Sequence, residues 1–207
     1  MAARIVLIGV LLAGWPGPAA AAQWTVRAGE QIAEVLRLAE AGDTIVVEKG
    51  HYAERLVIDK PLQLIGHDRP TLAGGNQGDT IRVTAPDVLI EGFIIRDSGP
   101  DLTEQNACIY IEPGAHRVTV RGNDIVYCLF GLWVEGVREV RVQGNLITGK
   151  RDFFSPMRGN GIQLYNTDQA LIEDNNISFT RDGIYVDVSH HATFRRNRMH
   201  HLRYGTH

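Results

Sequence analysis

Between Val118 and Ile125 the chain reads "VTVRGNDI", in which apolar and polar positions alternate, break at a glycine and an asparagine, and resume. The same pattern returns as "VRVQGNLI" from Val140, "ALIEDNNI" from Ala170 and "ATFRRNRM" from Ala192, with a degenerate copy, "VLIEGFII", from Val88. The start positions are 88, 118, 140, 170 and 192, so the spacings are 30, 22, 30 and 22. After the copies come second short strands, "IYIE", "LWVE", "IQLY" and "IYVD", and Gly131, Gly161 and Gly183 precede the last three, with Gly205 placed to precede the next. Side chains on a strand point alternately to opposite faces. Val118, Val120, Asn123 and Ile125 therefore face one way, and Thr119 and Arg121 the other. A short fixed period of alternating strands is the pattern of a solenoid, whose coils bury their apolar faces only by stacking.

The expected fold is all-β: a right-handed parallel β-helix with a short N-terminal amphipathic cap helix. The cap is read from Ile32, Val35, Leu36 and Ala39, which recur at helical spacing. Asn123, Asn145, Asn175 and Asn197 fall at one position in successive coils. A buried amide must satisfy both donor and acceptor, which stacked asparagines do for each other, so they are read as a structural ladder. Met199 shares the column of Ile125, Ile147 and Ile177 and is read as core.

The two longer spacings are the same unit with about eight residues inserted, at Ser98–Asn106 and Gly149–Asn160. Both insertions fall at the same corner, two coils apart. The second is expected to expose Phe153, Phe154 and Met157, and exposed apolar loops mark binding sites. A loop folded back on its own core is the plainer alternative. On the second strands, Tyr110, Trp133, Gln163, Tyr185 and His207 form one outward column, and Glu112, Glu135, Tyr165 and Asp187 the next. Such a stripe suits sugar stacking or a protein contact, and it equally suits ordinary sheet surface, where aromatics are favoured.

The remaining features change the picture less. Arg4, the apolar run Ile5–Leu12 and a train of small residues make a cleavable secretory signal peptide over residues 1–22, with the mature domain 23–207 starting at Gln23. The apolar run is well short of the roughly 20 residues that span a bilayer, and no later segment is apolar enough to do so. The formal net charge of −3 does not suggest a nucleic-acid binder. In an oxidising compartment Cys108 and Cys128 could pair, though buried free thiols are as common. Imidazole and thioether suit copper, so Met157, His200, His201 and His207 are candidate copper ligands, Cu(I) included, if the second insertion folds over the histidines. Solvated surface histidines are the plainer reading, since no standard metal-ligand spacing is present. The run "YNTDQ", Tyr165 to Gln169, carries an Asn-Thr-Asp also seen in polygalacturonases, but without the rest of that pattern, and Asp168 is read as structural.

Three stretches carry a closer likeness: "AGDTIVVEKGHYAERLVIDKPLQLIGHDRPTLAGG", "VTAPDVLIEGFIIRDSG" and "DGIYVDVSHHATFRRNRMHHLRYGTH". With the signal peptide, they make the chain resemble the NosD family of periplasmic maturation factors for nitrous oxide reductase. That resemblance implies a non-catalytic periplasmic protein. It implies association with the permease and ATPase of an ABC transporter and a role in copper insertion into the reductase, with a copper lipoprotein chaperone as a further partner. Members of the family are longer, which implies further coils beyond residue 207. The alternative is a carbohydrate-binding or carbohydrate-active β-helix using Tyr110, Trp133 and Tyr185.

Overall fold

The computed structural model describes residues 21–207. The expected signal peptide, residues 1–22, therefore lies outside the described residues except for Ala21 and Ala22. Three parallel sheets of eight, seven and seven strands run the length of a right-handed β-helix. One coil shows the plan: Thr119–Arg121 lies in the first sheet, Asp124–Cys128 in the second and Phe130–Glu135 in the third. Every strand pairs with its equivalent one coil away, as Val120 does with Ile90 on one side and Val142 on the other.

The register turns the sequence repeat into columns. Ile95, Ile125, Ile147, Ile177 and Met199 line up in the second sheet. Ile81, Ile109, Leu132, Ile162 and Ile184 line up in the third. All but Met199 are fully buried, and Met199 packs against the same core. At the first corner the residue before each ladder asparagine has a left-handed backbone. Glycine at 122 and 144 adopts it freely, while Asp174 and Arg196 adopt it in the later coils.

The asparagines bond one another. Asn145 Oδ1 accepts from the backbone N–H of Asn123 at 3.0 Å and from its Nδ2 at 3.2 Å. Asn175 and Asn197 repeat the arrangement one and two coils on. The remaining Nδ2 hydrogen reaches a carbonyl of the neighbouring coil, such as Val120 O at 2.9 Å. At the other end Phe93, buried in the asparagine position of the degenerate copy, donates its N–H to Asn123 Oδ1 at 3.0 Å.

The helix Ile32–Leu38 packs Ile32 and Leu36 into the first coils. Glu54 accepts from the N–H groups of Ile32 and Ala33 at its start, at 2.8 and 3.0 Å, where a carboxylate is favoured by the helix dipole. Cys108 and Cys128 form a disulfide in the core, with Cα atoms 5.6 Å apart, joining the third sheet to the second. Among the described residues no helix is long and apolar enough to cross a membrane.

Candidate functional site

The corner between the second and third sheets carries both insertions, because the strands before them, Ile94–Arg96 and Leu146–Gly149, are in the second sheet and those after, Ala107–Ile111 and Ile162–Tyr165, in the third. The disulfide lies under the same corner. Outside the coil a second apolar cluster forms there. Ala107, Tyr110, Leu129 and Phe130 are buried, and Leu102 of the first insertion, Trp133, and Phe153 of the second pack against them.

This cluster alters the aromatic stripe expected from the sequence. Tyr110 leaves the sheet on its outer face but is only 8 % exposed. Its ring lies under the Arg82 guanidinium, 4.4 Å away, and 6.3 Å from Trp133. Its hydroxyl donates to Glu135 at 2.7 Å, and Trp133 Nε1 donates to the same oxygen at 3.2 Å. Burial and the Glu135 carboxylate both push the Tyr110 phenol well above its ordinary range. Between Trp133 and Tyr185 the column holds Gln163, buried and accepting from Asn160 Nδ2 at 2.7 Å. Tyr185 meets His207 edge-on, with ring centres 4.7 Å apart. The three aromatics are thus not a continuous open platform, and Tyr110 is covered.

The second insertion is anchored at its base and open at its tip. Lys150 is 2 % exposed; its ammonium donates to Asn76 Oδ1 at 3.0 Å and sits 4.1 Å from the centre of the Tyr127 ring. Burial pulls its pKa below the ordinary lysine value. Tyr127 in turn donates to Asp152 at 2.8 Å. Arg158 closes the loop, donating to the carbonyls of Phe153 and Arg151, both at 2.9 Å. Phe153 is half-buried on the outer cluster rather than free. The 3-10 turn Ser155–Met157 then presents Phe154, 76 % exposed, and Met157, 56 % exposed.

Below the loop's base, Arg151 lies 4.1 Å from the centre of the Phe179 ring, and His201 stacks on that ring at 4.6 Å. The Nδ1 atoms of His200 and His201 are 2.7 Å apart, and His200 Nε2 lies 3.1 Å from Asn176 Oδ1. Desolvation first, then the neighbouring His201, Arg198 and Arg151, lowers the His200 pKa. The sequence-derived metal set is therefore divided. His200 and His201 meet; Met157 stands at the loop tip; His207 turns to Asp182, 3.1 Å away, which Arg203 also holds at 2.6 and 2.9 Å. His200 ends a second-sheet strand and His207 follows a third-sheet one. No group of three His, Cys, Asp or Glu side chains is poised to hold a metal among the described residues. What remains is a pair of imidazoles beside a basic, aromatic-lined corner. Nitrogen donors of this kind suit copper, but two fall short of the four ligands of a closed structural site. His191 pairs instead with Asp168 at 2.7 Å, on another turn.

Sequence reasoning missed Lys150, Tyr127 and Phe179, which tie the insertion to the coil. The signal available was position: Tyr127, Phe179 and His201 share a left-handed backbone at the same corner.

Known proteins resemble this chain in two ways. Residues 143–207 match the family described as periplasmic copper-binding protein (NosD). A protein of Pseudomonas aeruginosa named "Probable ABC transporter binding protein NosD" is 39% identical over 134 residues, covering 65% of this chain and 31% of that protein. One of the same name from Stutzerimonas stutzeri is 35% identical over the same shares. The chain thus spans about a third of the length of the curated relatives it matches. In three dimensions it is similar to pectin methylesterase PemA from Erwinia chrysanthemi, with a TM-score of 0.59, 18% identity, and coverage of 83% of this chain and 66% of that one. A pectin methylesterase bound to a hexasaccharide gives 0.57 and 18%, over 80% and 61%. At such identity these two show the fold alone. By its sequence the chain is NosD-like, a parallel β-helix whose coils from residue 143 onward carry the pattern of the NosD family.

Proposed function

We propose that this chain is part of a non-catalytic periplasmic accessory protein of an ABC transporter that serves copper-site assembly in nitrous oxide reductase. The names of its relatives and the description of the matching family support the transporter and the copper. The observation that carries the reading in this molecule is the second insertion. Its base is locked by Lys150 and Arg158, and its tip offers Phe154 and Met157 to a partner. A fixed loop with a small apolar tip loses little conformational freedom on docking. The partners in this reading are the permease with its ATPase, a copper lipoprotein chaperone and the reductase. Copper is cargo here, passed as Cu(I) by the His200–His201 pair, while Met157, apart from them at the loop tip, offers its thioether on the partner's side.

The test is an anaerobic Cu(I) competition titration of the exported protein against a strong chelator, beside a variant carrying Met157→Ala, His200→Ala and His201→Ala. Stoichiometric binding that the variant loses is the expected result. Because desolvation lowers the His200 pKa, less of that imidazole is protonated at a given acidic pH than in an ordinary histidine, which favours metal uptake there. Absence of binding by folded protein removes the copper relay from these residues. A carbohydrate-binding role has less support, since Tyr110 is covered and Gln163 interrupts the aromatics.

A further inference from the structure

Asp43, just before the strand Thr44–Val47, is a carboxylate with no salt-bridge partner among the described residues. Asp43 is 4 % exposed. One oxygen accepts from the backbone N–H of Ala22 at 2.7 Å; the other accepts from Trp24 Nε1 at 2.7 Å and from the N–H of Glu40 at 2.9 Å. These neutral donors hold the carboxyl below its usual range, so it is ionised at neutral pH. Buried charges are ordinarily paired. Lys60 is engaged elsewhere, donating to the carbonyls of Leu36 and Ala39 at 3.0 and 3.1 Å.

Ala22 is held at both of its backbone groups. Besides its N–H on Asp43, its carbonyl accepts from Thr44 N–H at 2.9 Å. Ala21 is exposed, its Cβ 4.0 Å from where a side chain on Gly42 would begin. The sequence Ala19-Ala20-Ala21-Ala22-Gln23 offers the small residues a leader-cleaving protease requires in two registers, before and after Ala22. Cleavage after Ala22 removes one donor of Asp43 and the acceptor of Thr44. Cleavage before it removes neither.

We infer that the mature chain begins at Ala22, one residue earlier than the sequence pattern alone suggests, and that its new α-ammonium is the missing partner of Asp43. Water adds to the Ala21 carbonyl carbon, and the Ala21–Ala22 C–N bond breaks. The leader departs with a carboxylate, and the Ala22 nitrogen becomes an ammonium already 2.7 Å from Asp43 Oδ1. Removing the leader thus adds a positive charge to the donor of a bond whose acceptor is already ionised, turning it into an ion pair, and fastens the first strand to the segment after the cap helix, whose Glu40 N–H reaches the same carboxylate. The inference requires export only and is independent of copper and of the transporter.

The experiment is to express residues 1–207 with export in a Gram-negative host, recover the periplasmic protein, and determine its intact mass and N-terminal sequence. The α-amine is then labelled at pH 7, folded and in urea. An Ala22 start is expected, with labelling roughly tenfold slower in the folded chain, since an ion pair that raises the amine pKa by one unit leaves a tenth as much reactive neutral amine. A Gln23 start or an uncleaved chain overturns the inference. So does an Ala22 start whose amine labels equally fast in both states, which would leave Asp43 unpaired.

Discussion

The two insertions leave the coil at the same corner, two coils apart, and end in opposite conditions. The first, Ser98–Asn106, folds down. Ser98 and Asn106 are buried, Leu102 packs on the outer cluster, and Asp101 gathers the N–H groups of Thr103 and Glu104 at 2.8 and 3.2 Å. The second, Gly149–Asn160, stands up. It buries a lysine at its base and leaves a phenylalanine and a methionine in solvent. A loop that only closed a gap would put its apolar residues where the first puts Leu102. The contrast points to the first as cover for Tyr110 and to the second as a platform for something else. Changes at four places test that contrast, in falling order of expected effect.

The floor beneath both is the Cys108–Cys128 disulfide, whose sequence separation is 20. Cross-linking a loop of that size contributes about 3 kcal/mol by restricting the unfolded chain. Replacing both cysteines by alanine should lower unfolding free energy in urea by about that amount. Both insertions should become equally more sensitive to protease. If only one of them does, the shared floor is not what holds them.

The second insertion alone depends on Lys150. Its pKa is lowered in the folded state, so between that value and the unfolded value near 10.4 the unfolded chain binds more protons. Stability contributed at this site therefore rises with pH across that window. At neutral pH the buried charge is a net cost beside a well-packed apolar side chain. Lys150→Met should hold or raise stability, by up to about 1 kcal/mol, and should abolish the rise at alkaline pH. Lys150→Ala also opens a cavity and should cost about 2 kcal/mol. A Met variant as destabilised as the Ala variant would show that the ammonium bond to Asn76, not the filled volume, is what anchors the loop.

The first insertion depends on Asp101. Asp101→Ala leaves two loop N–H groups without their acceptor, a loss comparable to removing a helix cap, about 1 kcal/mol. Hydrogen exchange at Thr103 and Glu104 should accelerate while the second insertion keeps its protection. Acceleration in both would mean that the outer cluster couples them through Leu102 and Phe153.

The parts of the molecule that repeat were legible in the sequence, and the parts that depart from the repeat were only located. Alternation and the recurring asparagine specify which side chains face inward, because a one-residue slip would turn every one of them out. The same regularity placed both insertions at one corner and Met199 in the isoleucine column. It did not show where an insertion travels once it leaves the coil. Tyr110 was correctly assigned to the outer face, yet a loop beginning at Ser98 covers it. Phe153 reads like Phe154 in sequence, but one packs on the cluster and the other does not. His207 belongs by composition with His200 and His201, and the salt bridge of Asp182 with Arg203 draws it away. Such outcomes depend on contacts that break step with the repeat, from Tyr110 with Gln105, 5 positions apart, to Lys150 with Asn76, 74 apart, for which periodicity provides no information.

The smallest expected effect on stability is the most informative about function. Phe154 and Met157 are exposed, so replacing both with serine should shift unfolding free energy by less than about 0.5 kcal/mol. If the second insertion is a docking tip, the same change should abolish retention of the detergent-solubilised transporter permease and ATPase by the immobilised protein. The Asp101→Ala variant, disturbed only in the other insertion, should retain them. Retention undiminished in the serine variant would move the docking surface off this loop. Measurable destabilisation by the serine pair would show instead that the tip packs against the coil in solution, and that the two insertions do the same work after all.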